Sequence, residues 1–122
     1  MLDMKAAPFE SGPSGPPAPH MDAATFERLG DATLRWITGY LDRAETLPVA
    51  STVEPGSVRR AFPISPPERG GSIEDLLELV DERIVPGLTH WQSPNWFAYF
   101  PCNHSFPSIL GEMLAAGLGT QG

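Results

Sequence analysis

The residues best able to do chemistry fall in one short stretch. Thr89-His90-Trp91-Gln92-Ser93-Pro94-Asn95-Trp96-Phe97-Ala98-Tyr99-Phe100-Pro101 holds five aromatics, two prolines and one histidine, with no charged side chain. Aromatic rings are unfavourable in water, so this is not the composition of a solvated loop. Pro94 and Pro101 fix their own φ and restrict Ser93 and Phe100 before them. The run reads as a stiff aromatic wall facing something apolar. On spacing alone it serves equally as one side of a pocket for a flat ligand or as a plug for the end of a helix pair.

Three side chains in or just past this stretch invite metal or nucleophile chemistry. His90, Cys102 and His104 could ligate a metal, but a fourth ligand and a familiar spacing are both missing. Cys102 as a nucleophile has no identifiable base, and a small buried thiol is the simpler state. His90 is read instead as orienting its loop through a backbone hydrogen bond, and His104 as a polar loop residue before a helix. Lys5 is the sequence's only lysine.

Helices must position this run. Asp22 to about Arg43 is predicted as the first, with Asp22 as N-cap and Phe26, Leu29, Thr33, Ile37, Tyr40 and Leu41 on one stripe; Trp36 sits at its edge. Ser72 to about Val85 is predicted as the second, opened by Ser72 and Asp75 in the spacing of a capping box and closed by Pro86-Gly87. Its apolar face is Ile73, Leu76, Leu77, Val80 and Ile84. Phe106-Pro107 opens a third helix that runs to Gly117, carries one charge, Glu112, and reads as buried nearly all round. Between the first two helices, residues 46–71 show no period, carry five prolines and predict a turn at Glu54-Pro55-Gly56. So long a connector suits a chain lying along a larger body. Residues 1–20 are rich in Pro, Gly, Ser and Ala and are expected to form a disordered leader; the PxxP pattern at Pro13–Pro16 is what any such tract produces.

Bulk composition narrows the function. Eight basic and fifteen acidic residues among 122 give a net charge of −7, which argues against nucleic acid and anionic membrane as partners. A single cysteine excludes an internal disulfide framework. No apolar run is long enough to span a bilayer and no signal peptide is recognisable, so the cytoplasm is the expected location. The sequon at Asn103-His104-Ser105 is then without consequence.

The pattern His-Trp-Gln-Ser-Pro-x-x-Phe-Ala-Tyr-Phe-Pro over residues 90–101 resembles the N-terminal part of the pyridoxal-phosphate-dependent aromatic-L-amino-acid decarboxylases. So do Met21-Asp22, Val53-Glu54-Pro55-Gly56, Ile84-Val85-Pro86-Gly87 and Phe106-Pro107-Ser108-Ile109-Leu110-Gly111-Glu112-Met113-Leu114, in order and spacing. The resemblance covers about residues 21–122. It implies a mainly α segment, the N-terminal helical portion of an α/β enzyme of the aspartate-aminotransferase type. It also implies an obligate homodimer whose N-terminal helices pack on the partner. Pyridoxal phosphate would be the cofactor, bound to a lysine and serving as the electron sink for loss of carbon dioxide from an aromatic amino acid. On this resemblance Trp91, Tyr99, Phe100, Pro101 and Cys102 map to the substrate pocket, and Gln121 to a position reaching the other subunit's pocket. Many relatives carry threonine or serine where Cys102 stands, close to the cofactor phosphate. A thiol is a weaker donor there.

The resemblance also implies that the catalytic lysine, the aspartate on the pyridine nitrogen and the cofactor-stacking histidine lie further along than residue 122. Two readings follow. One is the N-terminal fragment of a decarboxylase, supplying dimer contacts and one pocket wall. The other is a stand-alone, non-catalytic docking module or a decayed remnant. The stop at Gly122, just past an apolar helix, reads as a cut and favours the first.

Overall fold

The computed structural model describes residues 21–99 and 104–119. The expected leader, Phe100, Pro101, Cys102 and Gln121 lie outside them. The described residues are helical, with no strand among them.

Helix α1 spans Ala23–Arg43 and starts where the sequence predicts. Asp22 Oδ1 accepts the Thr25 N–H at 2.7 Å, satisfying one of the donors that a helix start leaves open. That hydrogen bond holds the Asp22 carboxyl below its ordinary range. Arg43 in the last turn complements the negative helix end. A 3-10 turn, Ala44–Thr46, follows.

The connector contains more structure than its composition suggests. Ser57 N–H donates to the Glu54 carbonyl at 3.0 Å, closing the predicted turn. Gly56 takes φ 84° in it, a left-handed value that suits glycine. The turn opens the short helix α2, Ser57–Arg60, which four residues are too few to reveal by periodicity.

Helix α3 begins on Ser72, whose Oγ accepts the Asp75 N–H at 3.0 Å. The sequence predicts one helix to about Val85, yet α winding stops at Leu79. A π-helical turn over Val80–Ile84 and a 3-10 turn over Val85–Gly87 complete the segment. Two causes act together. Pro86 has no N–H to extend the ladder, and side chains on the wide turn are drawn into tertiary contacts. Asp81 pairs with Arg43 and accepts the Trp36 indole N–H at 3.0 Å. Arg83 donates to the Ala61 carbonyl at 2.7 Å.

Helices α1 and α3 pack side by side in the same sense, joined near their starts by Arg28–Glu74 and near their ends by Arg43–Asp81. Among the described residues only Leu29, Ala44 and Val85 are buried apolar side chains. Phe26 and Leu76, both on predicted core stripes, stay exposed. At Gly87 an added Cβ would come within 2.2 Å of Val58 Cγ2, so only glycine permits this approach to α2.

Helix α4 spans Phe106–Leu118. Ser105 and Ser108 cap its start reciprocally, Pro107 lies in its first turn, and Gly119 at φ 65° ends it. The expected all-round burial is not met: none of its residues is buried, and Leu114 is 68% exposed. Its composition calls for a covering surface that the described residues do not provide.

Candidate aromatic pocket wall

Two consecutive turns build the aromatic run. Ser93 N–H donates to the His90 carbonyl at 3.0 Å, and Trp96 N–H donates to the Ser93 carbonyl at 3.0 Å. Trp91 and Gln92 are the central residues of the first turn, Pro94 and Asn95 of the second. Proline suits the leading central position, where φ near −65° is needed. Ser93 belongs to both turns, and its Oγ also accepts the Asn95 N–H at 3.3 Å.

The hinge residues are buried and the rings between them are not. His90 is 2% exposed and Ser93 4%, whereas Trp91 is 48% exposed and Tyr99 80%. The turns stack the rings in series. Trp91 and Trp96 lie 5.8 Å apart with planes 10° from parallel, and Trp96 and Tyr99 lie 6.2 Å apart at 29°. Trp96 thus fills the middle of the wall. Its indole N–H is buried and has no hydrogen-bond partner among the described residues. Tyr99 has φ 61°, in the left-handed region that a bulky aromatic seldom adopts.

His90 anchors the run to the helices. Its N–H donates to the Val49 carbonyl at 2.9 Å. Its Nδ1 lies 2.9 Å from the Tyr40 hydroxyl on α1. Burial pushes the His90 pKa down, opposed by the Val85 carbonyl and assisted by the nearby Arg43 charge. A neutral ring with its proton on Nε2 accepts the Tyr40 O–H at Nδ1. Burial raises the Tyr40 pKa, so its hydroxyl keeps that proton. Tyr40 in turn stacks on Trp36 at 5.8 Å with planes 2° apart.

His90 also lines a cleft of about 340 Å³ with Arg43, Leu47, Pro48, Asp81 and Val85. Neither Trp91 nor Tyr99 lines it. His104 is exposed just ahead of the α4 cap. The described residues contain no group of three metal-ligating side chains, and none of their helices is long and apolar enough to cross a membrane.

The structure therefore joins Trp91 and Tyr99 through Trp96, while Phe100, Pro101, Cys102 and Gln121 fall outside the described residues. Sequence reasoning passed over Tyr40, Ser93 and Trp96. Tyr40 looked like one more stripe residue, but Ser93 directly before a proline was a legible turn signal.

The family model of the pyridoxal-dependent decarboxylase conserved domain matches residues 55–122. The chain belongs to this family. Over 102 residues this decarboxylase-family chain is 48% identical to a phenylacetaldehyde synthase of Petunia hybrida, a match covering 84% of the chain and 20% of that protein. A tyrosine decarboxylase of Papaver somniferum is 45% identical with the same coverage, over 102 residues, 84% and 20%. The crystal structure of Catharanthus roseus tryptophan decarboxylase in complex with L-tryptophan superposes with a TM-score of 0.78 at 34% identity, covering 84% of this chain and 22% of that one. The chain spans about one fifth of the length of the curated relatives it matches.

Pyridoxal-dependent decarboxylases work through pyridoxal phosphate. The described part of residues 89–99 supplies no amine for an imine and no counter-charge for a phosphate. The sole lysine, Lys5, lies outside the described residues. Residues 89–99 by themselves therefore do not form the cofactor site. What they form is a stack of aromatic rings with no charged side chain among them.

Proposed function

We propose that residues 21–122 are the N-terminal helical segment of a pyridoxal-phosphate-dependent carboxy-lyase acting on aromatic L-amino acids. The segment supplies dimer contacts and an aromatic wall of the substrate pocket in a cytoplasmic homodimer. The observation that carries this reading is the Trp91–Trp96–Tyr99 stack, whose two ends are exposed and whose hinges are buried. A phenol or indole ring packs against such a surface by offset or edge contact, worth about 1 kcal/mol per ring pair beyond burial. A pocket for an acidic side chain would want positive charge, and residues 89–105 carry no lysine or arginine. Phe100, Pro101, Cys102 and Gln121 join the pocket on family resemblance, with the Cys102 thiol a weak donor toward a phosphate.

The test is Trp91→Ala in the full-length enzyme. We expect kcat/KM for aromatic amino acids to fall roughly tenfold or more through lost ring contact. Unchanged kinetics with phenylalanine, tyrosine, DOPA and tryptophan would remove Trp91 from the pocket. Similarity extends to proteins named as decarboxylases and to one named as an aldehyde synthase, so amine and aldehyde are both measured beside carbon dioxide.

A further inference from the structure

We infer that the Tyr40–His90 hydrogen bond is a latch that sets the position of Trp91, making both residues positioning residues for the aromatic substrate. The inference rests on the pocket reading above.

His90 is the first residue of the turn that carries Trp91, and nothing about it is slack. Its N–H is held by Val49 and its carbonyl by Ser93 N–H. Its ring is held by Tyr40, and it is 2% exposed. Trp91 is the next residue, and its own N–H closes back on the Thr89 carbonyl at 3.0 Å. The turn can therefore swing only by breaking a buried hydrogen bond of His90, which leaves a buried polar atom unpaired.

Of these bonds, the one to Tyr40 reaches furthest: the two residues stand 50 apart in sequence. Tyr40 is fixed in turn. It stacks on Trp36, and the Trp36 indole N–H is bonded to Asp81, which pairs with Arg43. The latch thereby refers the loop to α1 and to the π-helical turn at once. Any buried imidazole must pair its ring nitrogens; here Nδ1 finds its partner not in its own loop but in the Tyr40 hydroxyl on α1, which ties the loop to that helix.

The experiment is steady-state kinetics of the full-length enzyme carrying Tyr40→Phe, His90→Leu, His90→Gln or the Tyr40→Phe/His90→Leu pair, with L-phenylalanine and L-tryptophan. A displaced wall weakens binding in ground and transition states alike, which raises KM and leaves kcat in place. We expect Tyr40→Phe, which keeps the ring and its stack, to raise KM about fivefold with kcat within about twofold. The ratio of kcat/KM between the two substrates should shift, because a larger ring feels a displaced wall more. His90→Gln keeps an acceptor for the Tyr40 hydroxyl, so it should restore most of what His90→Leu loses. The double variant should be no worse than His90→Leu alone.

Tyr40→Phe with unchanged KM for both substrates, while Trp91→Ala is impaired, overturns the latch and leaves the pocket reading standing. Normal kinetics in Trp91→Ala overturns the pocket reading itself. A fall in kcat shared equally by all substrates, with thermal stability lost in parallel and no rescue by His90→Gln, makes the pair structural and overturns the positioning role.

Discussion

Tyr99 holds φ 61° at the exposed end of the aromatic stack. A non-glycine residue there costs on the order of 1 kcal/mol and persists only where its surroundings hold it. Such strain gathers at ligand sites, in line with the proposed role of the wall. His90 makes a second prediction at this scale. Its folded pKa is depressed, first by burial, so the folded form resists the proton that the unfolded chain takes up. Its contribution to stability is complete above the unfolded value of about 6.5 and is lost as pH falls below it toward the depressed folded value. In the full-length enzyme, urea unfolding midpoints between pH 7.5 and 5 should fall less steeply for His90→Gln than for the parent. Equal slopes would show that His90 does not carry that pH dependence. From the sequence, orienting its loop was one reading of His90 beside metal ligation; the structure holds its N–H on the Val49 carbonyl and its ring on Tyr40. The Tyr40 partner was not legible. No spacing rule connects Tyr40 to a residue 50 positions away.

The elements were legible where their boundary chemistry is local. Asp22 and Ser72 announce the starts of α1 and α3 because a cap is a bond between residues three apart. Gly56 likewise announces the turn before α2. The end of α3 was hidden, because the wide turn over Val80–Ile84 depends on Arg43, Trp36 and Ala61, all remote in sequence. The approach of Gly87 to Val58 was hidden for the same reason. Gly87→Ala should lower stability by about 1–3 kcal/mol, since its methyl would overlap Val58 Cγ2. Val58→Ala in the same chain should recover part of that loss, because the overlapping atom is removed. Additive losses in thermal melts of the full-length enzyme carrying the two single variants and the pair would show that the contact is not the cause.

Across the whole molecule, apolar surface is left uncovered on several elements. Phe26 on α1, Leu76 on α3 and Leu110, Leu114 and Leu118 on α4 are all exposed. Monomeric proteins rarely leave contiguous apolar faces in water. The 122-residue chain expressed alone should therefore associate or melt without a cooperative transition. Sedimentation showing one monomeric species, together with a sharp calorimetric transition, would contradict this. The sequence conveyed the stripes well, because a period of three to four is visible in any helix. It could not convey what covers them, because a stripe looks the same whether its partner is another helix of the same chain or another body. The aromatic wall has a final consequence for light. The chain has three tryptophans, and the fold puts two of them, Trp91 and Trp96, face to face while Trp36 stacks on a tyrosine. Intrinsic fluorescence is thus not a neutral gauge of folding here: two of the chain's three tryptophans report the geometry of one loop, and the third reports the helix contact that latches it.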